Sequence, residues 1–234
     1  MKRILTLAMA MAMAMGAAAY GQQYAFNGTN STINTIPDNN PSGVASTITV
    51  PTLAAQIANV TVSLDVTGGY NGDIYAYLAG PNGGFAVLLN RSGVSSSSAN
   101  GYSDSGFNVT FDDSGSNPDI HFYQNTGYPS SLNGSGQLTG TWGSDGENLN
   151  PQSSPSSYSV GATETLASFD GISGSDAAGQ WTLFLADLSA GDQSTLVSWS
   201  VDITTVPEPS SLALGALGLL VLAGVRKKFD FGKS

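Results

Sequence analysis

Two stretches of the chain alternate strictly between apolar and polar side chains, and this period of two constrains the fold more than any other feature. The apolar positions are Val60, Val62, Leu64 and Val66 in the first stretch, and Val197, Trp199, Val201 and Ile203 in the second. Such alternation places all the apolar side chains on one face of a β-strand. We therefore expect half-buried antiparallel strands at both places.

Shorter apolar runs separated by turn-forming Gly, Pro, Asn and Asp predict further strands at residues 45–50, 74–78, 85–89, 107–111 and 181–186. No stretch of the middle region shows helical periodicity over more than two turns. The sequence predicts an all-β fold, an antiparallel β-sandwich over residues 45–205 that follows a lead-in at residues 22–44. Residues 124–158 are poor in strand signals, and we expect them to form a long surface loop.

Charge and cysteine content exclude several classes of function. The 234 residues carry a formal net charge of -10 at pH 7 and contain no cysteine. Nucleic-acid binding needs a basic face, so this chain is not expected to bind DNA or RNA. The absence of cysteine excludes disulfides, thiolate zinc sites and thiol nucleophiles.

Residues 1–21 have the layout of a secretory signal peptide. Lys2 and Arg3 precede an uncharged run over residues 4–19 that ends in small residues, which is the order of such a signal. Cleavage after Ala19 and cleavage after Gly21 both satisfy the preference for small residues. The alternative is a hydrophobic first helix of the folded domain, although the Ala and Met repetition has no amphipathic period.

A second apolar segment predicts a transmembrane helix at residues 210–225. A helix of this length spans about 24 Å at about 1.5 Å per residue, which is a minimal match to a bilayer core of about 30 Å. Arg226, Lys227 and Lys228 follow directly. A basic stop of this kind stays cytoplasmic, so the preceding domain is expected outside the inner membrane. The alternative is a core helix that is buried on all sides.

The segment before this helix carries a resemblance to a known family. Val206, Pro207, Glu208 and Pro209 are followed by two serines, the apolar helix and the basic stop. Together, residues 206–234 resemble the PEP-CTERM sorting signal of Gram-negative bacteria, although the family usually ends sooner after the basic cluster. The resemblance implies a membrane-anchored precursor, processing by an exosortase, a final place at the cell surface or outside the cell, and a link to exopolysaccharide.

Two segments of the middle region resemble the P domain, a jelly-roll module of kexin- and furin-like proprotein convertases. The first runs from Val60 to Asn90 and contains Tyr70-Asn71-Gly72-Asp73-Ile74; the second places Trp181 and Trp199 on either side of Gly191-Asp192. The family often has a glycine where this chain has Gln193-Ser194. The resemblance implies a jelly-roll β-sandwich, and we expect both tryptophans to be buried between its sheets.

No catalytic constellation is recognisable in the sequence. His121 is the single histidine, and the chain has neither a G-x-S-x-G nucleophile elbow nor a subtilisin-like serine motif. We expect His121 to be a half-exposed side chain at a strand edge rather than a general base. Pairs of Asp and Glu in a hydrolase remain the alternative, because their separation in space is not readable from the sequence. The sequence therefore favours a non-catalytic protein with a structural or adhesive role.

Aspartates at strand ends and turns predict a calcium site. They are Asp73, Asp112, Asp113, Asp187 and Asp192. Carboxylate and backbone carbonyl oxygens are the ligands that Ca²⁺ takes, six to eight at a time. The alternative is that each aspartate only bonds the backbone of its own turn.

Three tyrosines support a rival hypothesis in which the domain binds carbohydrate. Tyr70, Tyr75 and Tyr77 lie beside the Asp-rich turns in the sequence. If their rings are exposed, they form a platform on which a sugar stacks.

Overall fold

The strands form where the alternation predicts them, and further strands flank them. The computed structural model describes residues 21–28, 35–159 and 161–206. The strands are β1 (Gln23–Asn27), β2 (Asn40–Val50), β3 (Ile57–Gly68), β4 (Ile74–Ala79), β5 (Phe85–Asn90), β6 (Gly106–Asp112), β7 (Ser131–Leu132), β8 (Leu138–Trp142), β9 (Gly179–Asp187) and β10 (Ser194–Thr205). Helical structure in these ranges is limited to short 3-10 turns at Asn71–Asp73, Ile120–Phe122, Pro155–Ser157 and Leu166–Phe169.

The strands form two sheets, which confirms the all-β prediction. The order is β1-β10-β3-β6-β8-β7 in the six-stranded sheet and β2-β9-β4-β5 in the four-stranded sheet. One pair departs from the predicted antiparallel arrangement, because β6 and β8 run parallel. A parallel pair needs a crossover of a dozen residues or more, and the segment between β6 and β8 is long enough to provide it.

One hydrophobic core contains side chains from both sheets. Trp181 of the four-stranded sheet is fully buried, and Trp199 of the six-stranded sheet is 2% exposed, as predicted. Trp199 Nε1 donates to Ser46 Oγ of β2 at 2.8 Å, and Trp181 Nε1 donates to the Ala177 carbonyl at 2.9 Å. Both indoles therefore bury their apolar rings without leaving the N–H group unpaired.

A β-bulge changes the predicted alternation at the start of β10. The register with β3 shifts between Leu196 and Ser198, so Leu196 is buried while Val197 is 49% exposed. The prediction that Val197 faces the core is wrong. An extra residue in one strand moves the side chains before it to the opposite face, and the sequence pattern does not reveal that residue.

The predicted lead-in at residues 22–44 is part of the fold. Strand β1 pairs with β10 along its whole length, β2 already begins at Asn40, and Ile36 is fully buried. Residues 23–205 form one compact unit. The folded domain therefore begins near residue 23 and not at residue 45.

Residues 124–158 are not the strandless loop that the composition predicts. They contain β7 and β8, and the β8 residue Trp142 is 1% exposed. Further along, the Gly146 N–H donates to the Val87 carbonyl at 2.9 Å, so this segment also covers the edge of β5. Its strands are too short for an alternation to be recognised, and only the neighbouring strands stabilise them.

Most of the two terminal segments lies outside the described residues. This holds for the signal peptide apart from Gly21, for the sorting sequence apart from Val206, and for the predicted membrane helix and basic stop. Within the described ranges, no helix has the length and apolar character needed to cross a bilayer.

Candidate functional site

Four carboxylates lie together where β9 leaves the four-stranded sheet, and we call them the acidic end. Asp187 is the last residue of β9 and pairs with Ile74, which directly follows Asp73. The negative charges of three neighbours act on Asp187. The members of the acidic end are Asp38, Asp73, Asp187 and Asp192.

Asp38 is the member that the sequence did not predict. Both of its carboxylate oxygens accept from the Gly191 N–H at 3.2 Å, across 153 positions of the chain. This contact holds the turn between β9 and β10, which carries Asp192, against the segment before β2. In the sequence Asp38 is one acidic residue in a turn, and nothing there links it to residue 191.

The Tyr70–Asp73 run positions Asp73 through a buried asparagine. The Asn71 side chain is fully buried; its Oδ1 accepts from the Gly106 N–H at 2.7 Å and its Nδ2 donates to the Gly106 carbonyl at 3.1 Å. At Gly72, a Cβ atom would lie 1.9 Å from the Asn100 carbonyl oxygen. The Asn-Gly pair therefore has a packing reason, and it sets the place of Asp73 at the start of β4.

Asp187 has an unpaired polar atom in a buried position. Its side chain is fully buried, and Oδ2 has no hydrogen-bond partner. Burial raises the pKa of Asp187 to about 6; the Ser189 N–H bond lowers it, while the charges of Asp73, Asp38 and Asp192 raise it. Near neutral pH this position therefore carries a buried negative charge that the protein does not fully compensate.

Arg91 supplies partial compensation for Asp73. Its Nη2 lies 3.9 Å from Asp73 Oδ1, and its Nε donates to the Gly72 carbonyl at 3.1 Å. Burial raises the pKa of Asp73, whereas the Ser189 side chain and the Arg91 charge lower it. Between residues 22 and 205, Arg91 and His121 are the only basic side chains in the sequence. The four carboxylates of the acidic end therefore share a single guanidinium, which lies 3.9 Å from Asp73.

The acidic end offers fewer carboxylate oxygens to one cavity than a calcium ion needs, because only Asp73 and Asp192 of its four members line that cavity. A cavity of about 210 Å³ lies there, lined by Tyr70, Asp73, Asn100, Ser189 and Asp192. In the part of the chain that the structure describes, no group of three or more Asp, Glu or His side chains is placed to hold a metal ion. A cation in this cavity would need hydroxyl, amide or backbone oxygens in addition to carboxylates.

Asp112 and Asp113 do not belong to this cavity. In the register of the six-stranded sheet, Gly68 of β3 pairs with Ser194, next to the acidic end, whereas Thr61 of β3 pairs with Asp112. Seven residues of strand separate the two positions by about 23 Å at about 3.3 Å per residue. The five aspartates predicted as calcium ligands therefore fall into two groups at opposite ends of β3.

Both aspartates at the far end bond to the protein. Asp112 Oδ1 accepts from the Ser114 N–H at 2.9 Å; burial raises its pKa, but the bonds from Ser114 and Asn59 lower it more. Asp113 Oδ1 accepts from the Ser144 N–H at 2.8 Å, and its Oδ2 accepts from the Leu166 N–H at 2.7 Å. These carboxylates tie loops to β6, which agrees with the alternative reading of aspartates in turns.

His121 is buried and not half-exposed at a strand edge, so that prediction is wrong. It lies in the 3-10 turn Ile120–Phe122 and is 3% exposed. Nδ1 lies 2.8 Å from Asp145 Oδ2, and Nε2 lies 3.0 Å from the Val94 carbonyl oxygen. The segment after β8 carries Asp145 into this contact. Because that segment was expected to be a loop at the surface, the contact between the two residues could not be predicted from the sequence.

The two partners of His121 determine its charge. A carbonyl only accepts, so Nε2 must carry a proton, and Asp145 Oδ2 also accepts from the Asn90 N–H at 3.1 Å. Burial lowers the pKa of His121, but the bonds and charge of Asp145 and the Val94 carbonyl raise it more. His121 therefore has both ring nitrogens engaged inside the domain, with a backbone carbonyl where a catalytic triad has a serine hydroxyl.

The three tyrosines of the carbohydrate hypothesis have different surroundings. Tyr75 and Tyr77 are half-buried on β4, and Tyr77 stacks on Phe184 at 4.9 Å between ring centroids. Tyr70 lines the cavity of the acidic end instead. Burial raises the pKa of Tyr75 to about 12, as do the charges of Tyr77 and Asp145. Aromatic neighbours therefore already occupy part of these ring faces.

Comparison with known proteins identifies the C-terminal segment. A family model described as "PEP-CTERM protein-sorting motif" matches residues 205–228. Residues 205–228 are a PEP-CTERM sorting motif. The sorting motif begins where β10 ends at Thr205. It supports export of the chain, processing by an exosortase-type enzyme and a destination at the cell surface or outside the cell.

Likeness to other proteins is weak over the folded domain. No curated protein matches the chain. Two crystal structures of a serine protease from Aeromonas sobria, one of them in complex with the chaperone ORF2, match 79% of this chain at 16% and 15% identity. Their TM-scores are 0.41 and 0.39, and the match spans 26% of the protease chain.

Proposed function

We propose that this protein is an exported, non-catalytic component of the cell surface or extracellular matrix, with a structural or adhesive role linked to exopolysaccharide. The observation that carries the proposal is the sorting motif at residues 205–228. The last strand, β10, ends at Thr205, so cleavage at Pro207–Pro209 removes the motif without removing a strand. The precursor is held in the inner membrane by the helix at residues 210–225 until the exosortase acts.

The folded domain is, in this proposal, a P-domain-like β-sandwich. Burial of Trp181 and Trp199 supports it, because the P domain places two tryptophans on either side of a Gly-Asp turn. A core shared by the two sheets also supports it.

The proposal that the protein is not an enzyme is supported by the state of His121. A general base must present an unprotonated nitrogen to the proton that it removes. Here both nitrogens donate to acceptors inside the domain, Asp145 and the Val94 carbonyl. Taking a proton would therefore require His121 to break one of two buried bonds.

Mass spectrometry of the membrane and secreted fractions tests the sorting step. We expect a mature C-terminus within residues 206–210, and we expect the Glu208→Ala variant to stay uncleaved in the membrane fraction. Glu164→Ala is the matched control, because it makes the same change in the folded domain and should be cleaved normally. Surface-exposed protein that retains Ser234 would contradict the proposal.

We also propose that the acidic end binds Ca²⁺. The supporting observation is Asp187 Oδ2, which is buried without a partner next to three further carboxylates. Asp73, Asp187 and Asp192 remain the candidate ligands, with Asp38 added, whereas the hydrogen bonds of Asp112 and Asp113 argue for a structural role of those two. A cation at this end lowers the cost of the buried charge and draws the turn that carries Asp192 towards β4.

Thermal unfolding tests the calcium proposal. Ca²⁺ at about 100 times its Kd should stabilise the protein by about 2.7 kcal/mol, and a chelator should reverse the rise in Tm. Asp187→Asn should abolish the response, while Asp112→Asn, the same change at the far end of β3, should keep it. A Tm that neither millimolar Ca²⁺ nor a chelator moves would disprove the site.

A further inference from the structure

A polar groove runs across the outer face of the six-stranded sheet, away from the acidic end and from His121. Its volume is about 460 Å³, within the range of about 300–1,000 Å³ that is typical of ligand sites. Its floor is formed by the middle of β10, β3, β6 and β8, and residues 27 and 28 at the end of β1 border it. The groove is therefore built on paired strands and not on loops.

The strand register arranges the side chains of this groove in two rows. Ser63 pairs with Ser200 on one side and Thr110 on the other, and Thr110 pairs with Thr141. These four hydroxyl side chains form the first row across four strands. Ser63 Oγ and Thr110 Oγ1 lie 3.2 Å apart, so the two central hydroxyls of the row are within hydrogen-bond distance of each other.

The second row contains the one charged side chain of the groove. Asp65 pairs with Ser198 and with Asn108. Asp65 Oδ1 accepts from Gln137 Nε2 at 2.7 Å. This bond fixes the orientation of the carboxylate and uses one of its two oxygens. The row therefore presents a hydroxyl, a carboxylate and an amide at neighbouring strand positions.

The chemistry of the two rows selects the class of ligand. All the polar side chains are short, and no basic side chain lines the groove, so an anionic ligand finds no counter-charge. The backbone N–H and C=O groups of β3 and β6 are used by neighbouring strands on both sides, so a peptide cannot add a strand there. A neutral ligand that presents many hydroxyl groups fits this surface.

We propose that the groove binds a neutral polysaccharide through hydrogen bonds to its hydroxyl groups. Neighbouring strands lie about 4.8 Å apart, which is close to the length of one pyranose ring along a chain. Successive sugars can therefore meet successive strands, with Asp65 accepting from a sugar hydroxyl through its second oxygen and Asn108 both donating and accepting. This inference rests on the exported location proposed above and names the partner of the adhesive role.

The test is binding of defined polysaccharides to the full chain, purified in a zwitterionic detergent without sugar head groups. Dextran, laminarin and galactomannan are the neutral probes, and alginate and hyaluronate are the anionic ones. We expect binding of at least one neutral probe, measured by isothermal titration calorimetry. Asp65→Asn and Asn108→Ala should each weaken it about tenfold, the value of one strong hydrogen bond.

Asp202→Asn is the matched control for Asp65→Asn. Asp202 lies on β10 and is half-buried between the buried residues Val201 and Ile203, so it faces outward on the same sheet, but it does not line the groove. The affinity of the Asp202→Asn variant for the neutral probe should stay within twofold of that of the unchanged protein. All variants should keep the same Tm within a few degrees, because Asn108 is exposed and Asp65→Asn keeps an acceptor for Gln137.

Four results would overturn the proposal. Two concern the ligand: no binding of any neutral probe, and tighter binding of alginate than of the neutral probes. The third is binding that is lost in Tyr77→Ala but kept in Asp65→Asn and Asn108→Ala. The fourth is self-association of the protein that both groove variants abolish. None of these results depends on cleavage near Pro207–Pro209, so failure of the groove and failure of the sorting proposal are distinguishable.

Discussion

The acidic end and the His121–Asp145 pair both bury carboxylates, but only one of them supplies partners for every buried oxygen. Asp145 is 2% exposed, and its two oxygens accept from His121, from the Asn90 N–H and from the Glu147 N–H. Asp187 is fully buried, and its Oδ2 has no partner. The same residue type therefore stands in two different electrostatic situations in one domain.

This difference separates a structural role from a role that leaves room for a ligand. A buried charge with a complete set of donors holds its neighbours in place, and removing one partner is costly. A buried oxygen without a donor lowers stability until a proton or a cation compensates it. Removing a charge should therefore lower the stability of the protein at the His121–Asp145 pair and raise it at the acidic end.

The largest effect is expected from His121→Phe. The substitution keeps a ring but leaves Asp145 as a buried carboxylate without its charged partner, so the free energy of unfolding should fall by about 3–5 kcal/mol. Urea denaturation at pH 6 measures it. The double variant His121→Phe, Asp145→Asn should recover part of the loss, because it removes the uncompensated charge. A loss below about 1 kcal/mol in the single variant would show that the pair is not ionised.

Stability should fall as the pH rises from 5 to 8. Burial raises the pKa of Asp119 to about 7, and the charge of Asp145 raises it too. The hydrogen bond from the backbone N–H of His121 and the charge of the His121 ring lower it. The folded state thus holds a proton that the unfolded state releases near pH 4, so stability is lost as pH rises towards 7. The pKa of His121 is also raised above its ordinary value near 6.5. Its contribution to stability is therefore lost in the same direction, as the pH rises above 6.5.

This loss should amount to at least about 2 kcal/mol, since one pKa unit corresponds to about 1.4 kcal/mol. Denaturation at several pH values measures it. Asp119→Asn keeps an acceptor for the His121 N–H and should flatten the profile. An unchanged profile in this variant would assign the pH dependence to other groups.

A smaller gain is expected from Asp187→Asn. The amide keeps an acceptor for the Ser189 N–H and removes the buried negative charge, so without calcium the variant should be more stable at pH 8 by about 1–2 kcal/mol. Chemical denaturation in the presence of a chelator measures this gain. A destabilised variant would show that Asp187 has a cationic partner in the folded protein.

The smallest effect is expected from Asp112→Ala at the far end of β3. Loss of its bonds from Ser114 and Asn59 should cost about 0.5–1.5 kcal/mol, with no change in the response of Tm to Ca²⁺. Thermal unfolding with and without Ca²⁺ checks both statements. A lost calcium response would place the Ca²⁺ ion at Asp112 and not at the acidic end.

Local sequence pattern predicted the strands well where several apolar residues alternate, because a period of two directly reflects which side chains face the core. It failed at Val197, where one extra residue reverses the facing, and at Trp142, whose strand is held by its neighbours. It also placed His121 at the surface, because the segment that covers it carries no strand pattern of its own.

The calcium prediction also has one part that the sequence shows and another that depends on strand pairing. That aspartates stand at strand ends is visible in the sequence, since Asp favours turns. Which of them meet depends on register. Asp187 lies beside Asp73 because β9 pairs with β4, whereas Asp112 pairs with Thr61 of β3, about 23 Å along that strand from Gly68, the residue that pairs with Ser194 next to the acidic end. Asp38 joins them through a contact between distant parts of the chain.

By itself the sequence determined the all-β class, the burial of Trp181 and Trp199 and the sorting motif at residues 205–228, because each depends on neighbours along the chain. Tertiary structure alone decided which carboxylates are paired, that both nitrogens of His121 are engaged, and that Asp65 and Asn108 share a groove. These features depend on strand pairing between distant segments, and the energy of a buried charge or hydrogen bond is set by the atoms that surround it in space.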